Sequence, residues 1–446
     1  MRRVLFLAYH FPPLGGAPVR RNASFVRYLP ELGYQPIVVT GPGAPSYRWT
    51  PLDGTASVDG FDVRRVAGDE PPRSDGWRGR RERWLRAVSP WQRWWEANAV
   101  RLACEAGADA DLVHASIAPY ISAEAALAIA RKLRKPLVVD FEDPWALDEM
   151  LVYPSALHRR IDLGHMRRVL ASADAVIMNT PEAARRVRTL FPELVDRSVA
   201  AIPNGFEPAD FEGPAPPRTN TRFRIVHTGS LHTDLGLSQR RFRAARRLFG
   251  GAVAGVDFLT RSHVHLLDAV ERLCAQRPEL RETIEVHLAG VLTDADREAA
   301  ARSRAVREHG FLSHPETIEL VRSADLLFLP MHDLPSGRRV AIVPCKTYEY
   351  AASGRPILGA VPDGDARDLL TRLQTTSLCR PADVAAISDA ISAEVERWQA
   401  GVPAPAPRQE ELQRYEWCQL AHELADVFDR LLGGSVRSVP GLATVP

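Results

Sequence analysis

The chain has 446 residues, which is too long for one ordinary core and suits two or three domains. Its 57 basic and 55 acidic residues nearly cancel, which argues against a dedicated nucleic-acid-binding protein. Five scattered cysteines without a Cys-x-x-Cys pair give no support to a zinc site or a disulfide framework, and they fit a reducing cytosol.

The N-terminus opens with two arginines and a short apolar run that ends at His10. That run is too short for a signal peptide or a membrane span, and no small-residue cleavage site follows it. It therefore predicts a buried first strand. We expect a cytoplasmic protein, and peripheral contact with the inner face of the membrane stays an open alternative.

Short apolar strands alternate with helical patterns through the first half of the chain. Their Val-, Ile- and Leu-rich character is typical of parallel strands that helices cover on both faces. The predicted strands are Arg3–Tyr9, Pro36–Thr40, Asp62–Val66, Asp111–Ala115, Pro136–Phe141, Ala175–Asn179 and Val199–Ile202. The helices between them include Val19–Leu32, Glu124–Leu133 and Glu182–Leu190.

A proline-rich stretch then predicts an interdomain linker, at 208–222, and a second α/β series follows it. Its predicted strands are Arg224–Thr228, Ile284–Ala289, Leu326–Pro330 and Pro356–Ala360. Its predicted helices include Val264–Leu273, Asp296–Arg307, Pro315–Arg322 and Lys346–Ala352. After a second proline-rich break we predict a final helix at 409–432 and a disordered tail at 433–446.

This pattern predicts an α/β protein with two doubly wound, Rossmann-like domains, at 1–207 and 223–400. Ligands of open parallel sheets bind beyond the carboxyl ends of the strands. We therefore expect the functional residues in the loops that follow the strands, facing a cleft between the two domains.

The loop after the first strand contains Gly15 and Gly16, and Arg20 and Arg21 follow in the first helical turn. Paired glycines let the backbone approach a ligand closely, and the exposed N–H groups of a helix start favour an anionic or hydroxyl-rich partner. A tight turn without a ligand explains the same residues equally well.

Two more loops of the first half carry polar residues where strands end. Asp140, Glu142 and Asp143 follow a buried strand, where carboxylates are costly unless they are solvated or paired. Asp143 is the candidate for holding sugar hydroxyls or an arginine, and helix capping with ion pairing is the alternative. His114 can point into the cleft, although a lone histidine is more often a core residue.

In the second half, a strand runs into Gly229 and Ser230, whose N–H groups are suited to a diphosphate. Further on, Lys346 lies at a predicted helix start, where a cation is unfavourable unless an anion binds there. Glu349 follows one turn later on the same face. The pair is typical of a nucleotide clamp, and an ordinary Lys–Glu helix pair is the alternative.

Several ordered motifs carry a resemblance over about residues 2–432. They are Phe11-Pro12-Pro13-Leu14-Gly15-Gly16, Asp111-Leu112-Val113-His114, Asp140-Phe141-Glu142-Asp143-Pro144-Trp145, Ala173-Asp174-Ala175-Val176-Ile177, Ile202-Pro203-Asn204-Gly205-Phe206, Ala324-Asp325-Leu326-Leu327-Phe328-Leu329-Pro330 and Lys346-Thr347-Tyr348-Glu349-Tyr350. In their order and spacing, the chain resembles bacterial retaining glycosyltransferases of family 4 with the GT-B fold.

The resemblance implies a first domain on the acceptor side and a second domain that binds a nucleotide-diphosphate sugar, most simply of UDP or GDP type. The donor would contact Gly15, Gly16, Gly229, Ser230, Lys346, Tyr348 and Glu349, with Glu349 on the ribose hydroxyls and Lys346 on the phosphates. His114, Asp143, Lys346 and Arg261 would act on the reacting groups, with His114 hydrogen-bonded to the sugar. The final helix would pack back on the first domain.

The sequence departs from this family pattern at two positions. Many relatives have a lysine soon after Gly229, whereas here a basic insertion at 233–257 intervenes, and Arg261 is the candidate to supply the missing cation. Many relatives also have a second glutamate eight positions before Glu349, where this chain has Ala341. The resemblance therefore supports the fold more directly than it supports the identity of the donor or the activity.

The expected reaction transfers a sugar with retention of anomeric configuration to an acceptor that the sequence does not identify, without a metal or a separate cofactor. Stabilisation of the departing diphosphate by N–H groups and cations would supply several kcal/mol. A phosphorylase or sugar-nucleotide hydrolase of the same fold, and a catalytically silent binding subunit, are the competing hypotheses.

The segment 77–101 interleaves five tryptophans with arginines. This density suits an anionic membrane interface, and it would bring a lipid-linked acceptor close to the first domain. The alternative is an ordinary helix with buried tryptophans and solvated arginines. No nucleic-acid partner is expected, and the sequence does not indicate an oligomeric state.

Overall fold

The computed structural model describes residues 1–44, 52–53, 58–194, 198–214, 216, 222–242, 248–374 and 376–433. All strands of its two sheets run parallel. The strands of the first sheet are β1 (Arg2–Ala8), β2 (Tyr34–Thr40), β3 (Asp62–Arg65), β4 (Leu112–Ser116), β5 (Leu137–Phe141), β6 (Ala175–Met178) and β7 (Ser198–Ala201). Their order is β3-β2-β1-β4-β5-β6-β7.

The second sheet repeats the same doubly wound order with six strands, β10-β9-β8-β11-β12-β13. Its strands are β8 (Phe223–Thr228), β9 (Ile284–Ala289), β10 (Val306–Gly310), β11 (Leu326–Pro330), β12 (Ile357–Ala360) and β13 (Thr376–Cys379). The predicted α/β fold class, with two Rossmann-like sheets, is confirmed.

Helices connect the strands and cover the sheets. In the first half they are α1 (Ala17–Tyr28), α2 (Gly76–Leu85), α3 (Pro90–Ala106), α4 (Ser122–Leu133), α5 (Ala156–Ser172) and α6 (Pro181–Leu190). In the second half they are α7 (Thr233–Arg241), α8 (Val264–Gln276), α9 (Asp294–Ala300), α10 (His314–Arg322), α11 (Lys346–Ala352), α12 (Asp365–Leu373), α13 (Val384–Gln399), α14 (Gln409–Gln413) and α15 (Trp417–Leu431). Among the described helices, none is long and apolar enough to cross a membrane.

The predicted helix Asp296–Arg307 is wrong in its second half. A capping box between Thr293 and Asp296 starts α9 earlier, and the helix ends at Ala300. The chain then turns and forms β10, in which Val306 pairs with Val286 of β9. The strand β13, which is short and lies at the other edge of this sheet, was not predicted either.

The predicted final helix at 409–432 is interrupted. Residues between α14 and α15 pair with the segment that follows β7: the Phe206 N–H donates to the Tyr415 carbonyl at 3.0 Å, and the Trp417 N–H donates to the Phe206 carbonyl at 3.1 Å. A continuous helix would use these backbone groups internally. The chain therefore crosses back to the first sheet at this point.

The helix α15 buries one face in the core of the first domain. Trp417, Leu424 and Phe428 belong to the same apolar cluster as Phe6 and Phe25. The linker and the insertion are described only in part, because 215, 217–221 and 243–247 lie outside the described residues. The predicted disordered tail lies outside them from 434 onward.

Candidate functional site

A cavity of about 490 Å³ opens between the two sheets, at the carboxyl ends of their strands. This volume is typical of small-molecule sites. The first domain lines it with the start of α1 and the loops after β5 and β6. The second domain lines it with the turns after β8, β9 and β10 and with the start of α11.

The start of α1 brings backbone to the cavity wall. Gly16 has a φ of 106°, in the left-handed region that favours glycine, and it precedes the helix directly. It lines the cavity together with Ala17, Pro18 and Arg20, whereas Gly15 is buried beside it and is not part of the lining. Of the two predicted glycines, Gly16 therefore faces the cleft.

The opposite wall brings cations next to a glycine turn. Gly229 has a φ of 92°, and a Cβ added there would lie 2.9 Å from the Lys346 Nζ, so the ammonium approaches this backbone closely. Burial, with a further contribution from Arg261, lowers the pKa of Lys346 to about 7. Ser230 and Arg261 line the same cavity, so the predicted phosphate-binding residues come together.

The guanidinium of Arg261 faces carboxylates of the first domain. Burial lowers the pKa of Arg261, and the charges of Asp143 and Asp148 act against that shift. Its Nη1 also lies 2.9 Å from the Met150 Sδ. The insertion before Arg261 reaches the same part of the first domain, because the Gly251 carbonyl accepts a hydrogen bond from the Tyr153 N–H at 2.9 Å.

The loop after β5 positions two carboxyl groups in the cavity wall, Glu142 and Asp143. Burial, and then the charge of Asp143, raise the pKa of Glu142 to about 8. The enclosed position also raises the pKa of Asp143, against the effect of Arg261. At neutral pH, Glu142 is therefore mainly a neutral hydrogen-bond donor.

A strained residue holds this loop in place. Trp145 has a φ of 45°, which costs a non-glycine residue free energy that the surroundings must offset. Its ring is buried and stacked on Tyr120 at 5.3 Å, and its Nε1 donates to the Asp162 Oδ2 at 3.0 Å. These contacts fix the backbone that carries Asp143.

Arg20 and Glu349 form an ion pair across the cleft. Arg20 lies in the first turn of α1 and Glu349 on α11, so the pair joins the two domains. The Glu349 side chain is only 7% exposed. Further interdomain contacts include the hydrogen bond from the Thr180 hydroxyl to the Ala341 carbonyl, at 2.7 Å.

The structure does not bring His114 to the cleft. Its side chain is fully buried, stacks on Phe6 at 4.3 Å and lies 3.7 Å from the Asp140 Oδ2. Asp140 itself is held by two 2.9 Å hydrogen bonds from Arg21. Burial opposes ionisation of Asp140, but Arg21 and His114 outweigh it and lower its pKa. His114 is therefore a core residue, and the structure does not show the predicted contact between His114 and a sugar.

Tyr348 also lies away from the cavity. It is 2% exposed, and its ring packs 5.1 Å from that of Tyr415, because this side of α11 faces the core and α14 rather than the cleft. Lys346 and Glu349 lie on the opposite, cleft-facing side. The motif 346–350 thus has one face that lines the cavity and another that packs in the core.

Three lining features were missed from the sequence. Glu142 lines the cavity, although Asp143 was the residue predicted to act from this loop. Arg20 also lines the cavity, and the sequence predicted no contact for it. Phe311 and Leu312 line the cavity just after β10. They were missed because no strand was predicted at 306–310, and the predicted helix Asp296–Arg307 extended into the first two residues of β10. Among the described residues, no cluster of three His, Cys, Asp or Glu side chains is arranged for a metal ion.

Solved structures with the same overall fold cover nearly the whole chain. Sucrose-phosphate synthase from Thermosynechococcus elongatus aligns with a TM-score of 0.66 and 13% identity, over 98% of this chain and all of its own. Anabaena HepE in complex with UDP and glucose has a TM-score of 0.59 and 15% identity, over 96% and 100%. Trehalose 6-phosphate synthase from Burkholderia multivorans has a TM-score of 0.55 and 14% identity, over 97% and 98%.

No curated protein sequence matches the chain significantly. Residues 18–210 match the model of Glycosyltransferase Family 4, and residues 254–396 match the model of Glycosyl transferases group 1. These matches cover six of the seven strands of the first sheet and five of the six strands of the second, while β1, β8 and the Gly229 turn lie outside them. The chain is therefore a GT-B glycosyltransferase, with a family 4 region in its first half and a group 1 region in its second.

Proposed function

We propose that the enzyme transfers a sugar from a nucleotide-diphosphate donor to a hydroxyl acceptor, with retention of anomeric configuration. The observation that supports this most is the cavity wall where Lys346 lies against Gly229, with Arg261 on the same wall. Cations and N–H groups at this place stabilise the negative charge that develops on a departing diphosphate. The donor is proposed to be of UDP type, with GDP as the other candidate, since HepE binds UDP in a similar fold.

In the proposed step, the bond from the anomeric carbon to the diphosphate oxygen breaks as the bond to the acceptor oxygen forms on the same face. The acceptor proton passes to a phosphate oxygen, so the products are the glycoside and the nucleoside diphosphate. Lys346 and Arg261 hold the diphosphate, and the neutral Glu142 donates a hydrogen bond to the sugar or the phosphate. Asp143, on the opposite wall from Lys346, positions the acceptor hydroxyl.

The nucleoside is proposed to bind along the start of α11 towards the turn after β10. Glu349 accepts hydrogen bonds from the ribose hydroxyls. Phe311 and Leu312 offer apolar surface to the base, and Phe311 is 43% exposed. This arrangement leaves the first-domain wall for the transferred sugar and the acceptor.

A panel of sugar nucleotides tests this function. Nucleotide release that depends on an added acceptor extract supports transfer, and the anomeric configuration of the isolated product tests retention. Turnover that requires inorganic phosphate, or release without any acceptor, would identify a phosphorylase or a hydrolase instead. Nucleotide binding without turnover under every condition would identify a silent binding subunit.

We also propose a peripheral contact with an anionic membrane, at the cytoplasmic face, that places a lipid-linked glycan acceptor near the first domain. Of the tryptophans in 77–101, Trp91 and Trp95 are core residues, but Trp77 and Trp84 are 69% and 50% exposed. The helix α2 that carries these two also exposes Arg78, Arg80, Arg81 and Arg83. Exposed indoles with arginines favour an anionic lipid interface.

Co-sedimentation with vesicles that contain anionic lipid tests this contact. The triple variant R80E/R81E/R83E should lose most binding, and R281E/R302E/R304E, which changes the charge equally on exposed second-domain arginines, should keep it. Equal binding of both variants would exclude α2 as the contact.

A further inference from the structure

The guanidinium of Arg20 contacts the Glu349 carboxylate, which is the group that binds the ribose in the proposed function. Arg20 contacts the Oε1 atom of Glu349, and Glu349 is otherwise almost inaccessible, with 7% of its side chain exposed. Because so little of this carboxylate is accessible, ribose hydroxyls that bind both of its oxygens would compete with the guanidinium. The ion pair therefore opposes a full ribose contact.

A new partner for the displaced guanidinium lies close by. Lys346 precedes Glu349 by three residues on α11, a rise of about 4.5 Å along the helix axis. Arg20 lines the same cavity as Lys346 and the Gly229 turn. A diphosphate held by Lys346 and this turn is thus within reach of the flexible Arg20 side chain. Guanidinium groups bind phosphates with two parallel hydrogen bonds.

We propose that Arg20 exchanges partners when the donor binds, from the Glu349 carboxylate to the donor diphosphate. This inference rests on the proposed function and assigns to Arg20 a role in selecting nucleotides that carry phosphates. A nucleoside alone breaks the ion pair and provides no anion for the guanidinium. A nucleoside diphosphate provides one, so binding of the ribose and binding of the phosphates are coupled through one side chain.

The exchange makes opposite predictions for two ligands of the same protein. In R20A, uridine no longer competes with a guanidinium, so its affinity should rise by about three- to tenfold. UDP loses a charge-assisted contact, so its affinity should fall by about tenfold. Isothermal titration calorimetry with uridine and UDP, and in parallel with guanosine and GDP, measures both changes.

Two further variants separate the exchange from a general disturbance of α1. R27A removes an arginine from the same helix that is half exposed and contacts Glu207 at 3.4 Å, and it should change neither affinity. E349Q cannot hold the guanidinium by charge but keeps an acceptor oxygen. In that background, adding R20A should leave uridine affinity unchanged.

The outcomes distinguish the exchange from the proposed function. If the wild type binds UDP or GDP but R20A shifts nucleoside and diphosphate affinity in the same direction, or shifts neither, the exchange is overturned and the function stands. If the wild type binds none of the four ligands, the proposed function fails and the exchange fails with it.

Discussion

The two walls of the cleft differ in charge. The first-domain wall carries the carboxyl groups Glu142 and Asp143, whereas the second-domain wall carries Lys346 and the turn of Gly229. The first wall is suited to hydroxyl groups and the second to an anion. We therefore propose that the donor diphosphate binds on the second domain and that the sugar is transferred between the walls. Two residues have the opposite charge to the rest of their wall: Arg20 on the first domain and Glu349 on the second. These two form an ion pair with each other.

The largest effect should come from removing the cation of the second wall. K346M keeps most of the length of the side chain but has no charge to stabilise the leaving diphosphate, so we expect kcat/KM for the donor to fall by about 100- to 1,000-fold. Steady-state kinetics with the donor found in the sugar-nucleotide panel measures this. A loss below about threefold would mean that the anion lies elsewhere and that the contrast between the walls has no catalytic meaning.

A smaller and different effect should follow from a change in the first wall. D143N removes the charge that faces Arg261 and the proposed acceptor hydroxyl, so we expect the acceptor KM to rise by about 10- to 100-fold. Donor affinity, measured by calorimetry, should change little. Equal losses in donor and acceptor binding would show that the two walls do not divide the substrates as proposed.

The pH should affect the second wall first. Because the pKa of Lys346 is lowered to about 7, its ammonium loses the proton above that pH, and UDP affinity should then fall by up to about tenfold per pH unit. Above about pH 8, ionised Glu142 adds repulsion from the first wall. Calorimetry from pH 6 to 9 should show both phases in the wild type and only the second in K346M. A flat profile in the wild type would contradict protonated Lys346 as the phosphate ligand.

The same lysine affects folding stability with the opposite sign. Between about pH 7 and the ordinary lysine pKa of 10.5, the unfolded chain binds a proton that the folded chain does not. Through this group alone, the free energy of unfolding therefore rises with pH in that window.

The smallest effect on catalysis should come from His114, behind the first wall. H114L replaces a buried ring by an apolar side chain, so we expect kcat/KM to stay within about threefold of the wild type while the melting temperature shifts by a few degrees. Kinetics and thermal unfolding check both numbers. A loss of turnover of about 100-fold at unchanged melting temperature would contradict the core position and support the original prediction that His114 is catalytic.

The sequence was most informative where strands are buried. Every strand predicted in the first half forms, because runs such as Val4–Leu7 can only be satisfied between two layers of helices. It was least informative at the edge of the second sheet, where β10 is largely exposed and carries few apolar residues. Because no strand was predicted there, the turn after β10 that supplies Phe311 was not predicted either.

For the site, the sequence indicated which loops face the cleft but not which side chains do. Lys346 and Glu349 lie in the cleft because they share one face of α11, whereas His114 does not, because alternate residues of β4 face opposite sides of the sheet. The pairing of Arg20 with Glu349 joins two domains, and no local pattern encodes such a contact. Only the packing of the domains brings these residues together.

The return of α15 to the first domain has a consequence for biosynthesis. Domains generally fold in the order in which they leave the ribosome. Here the apolar surface formed by Phe6 and Phe25 is covered by Trp417 and Phe428, which are translated after the whole second sheet. The first domain can therefore begin to fold early but closes its core only after the second domain has been translated. A nascent chain stalled after the second domain would expose that surface to chaperones.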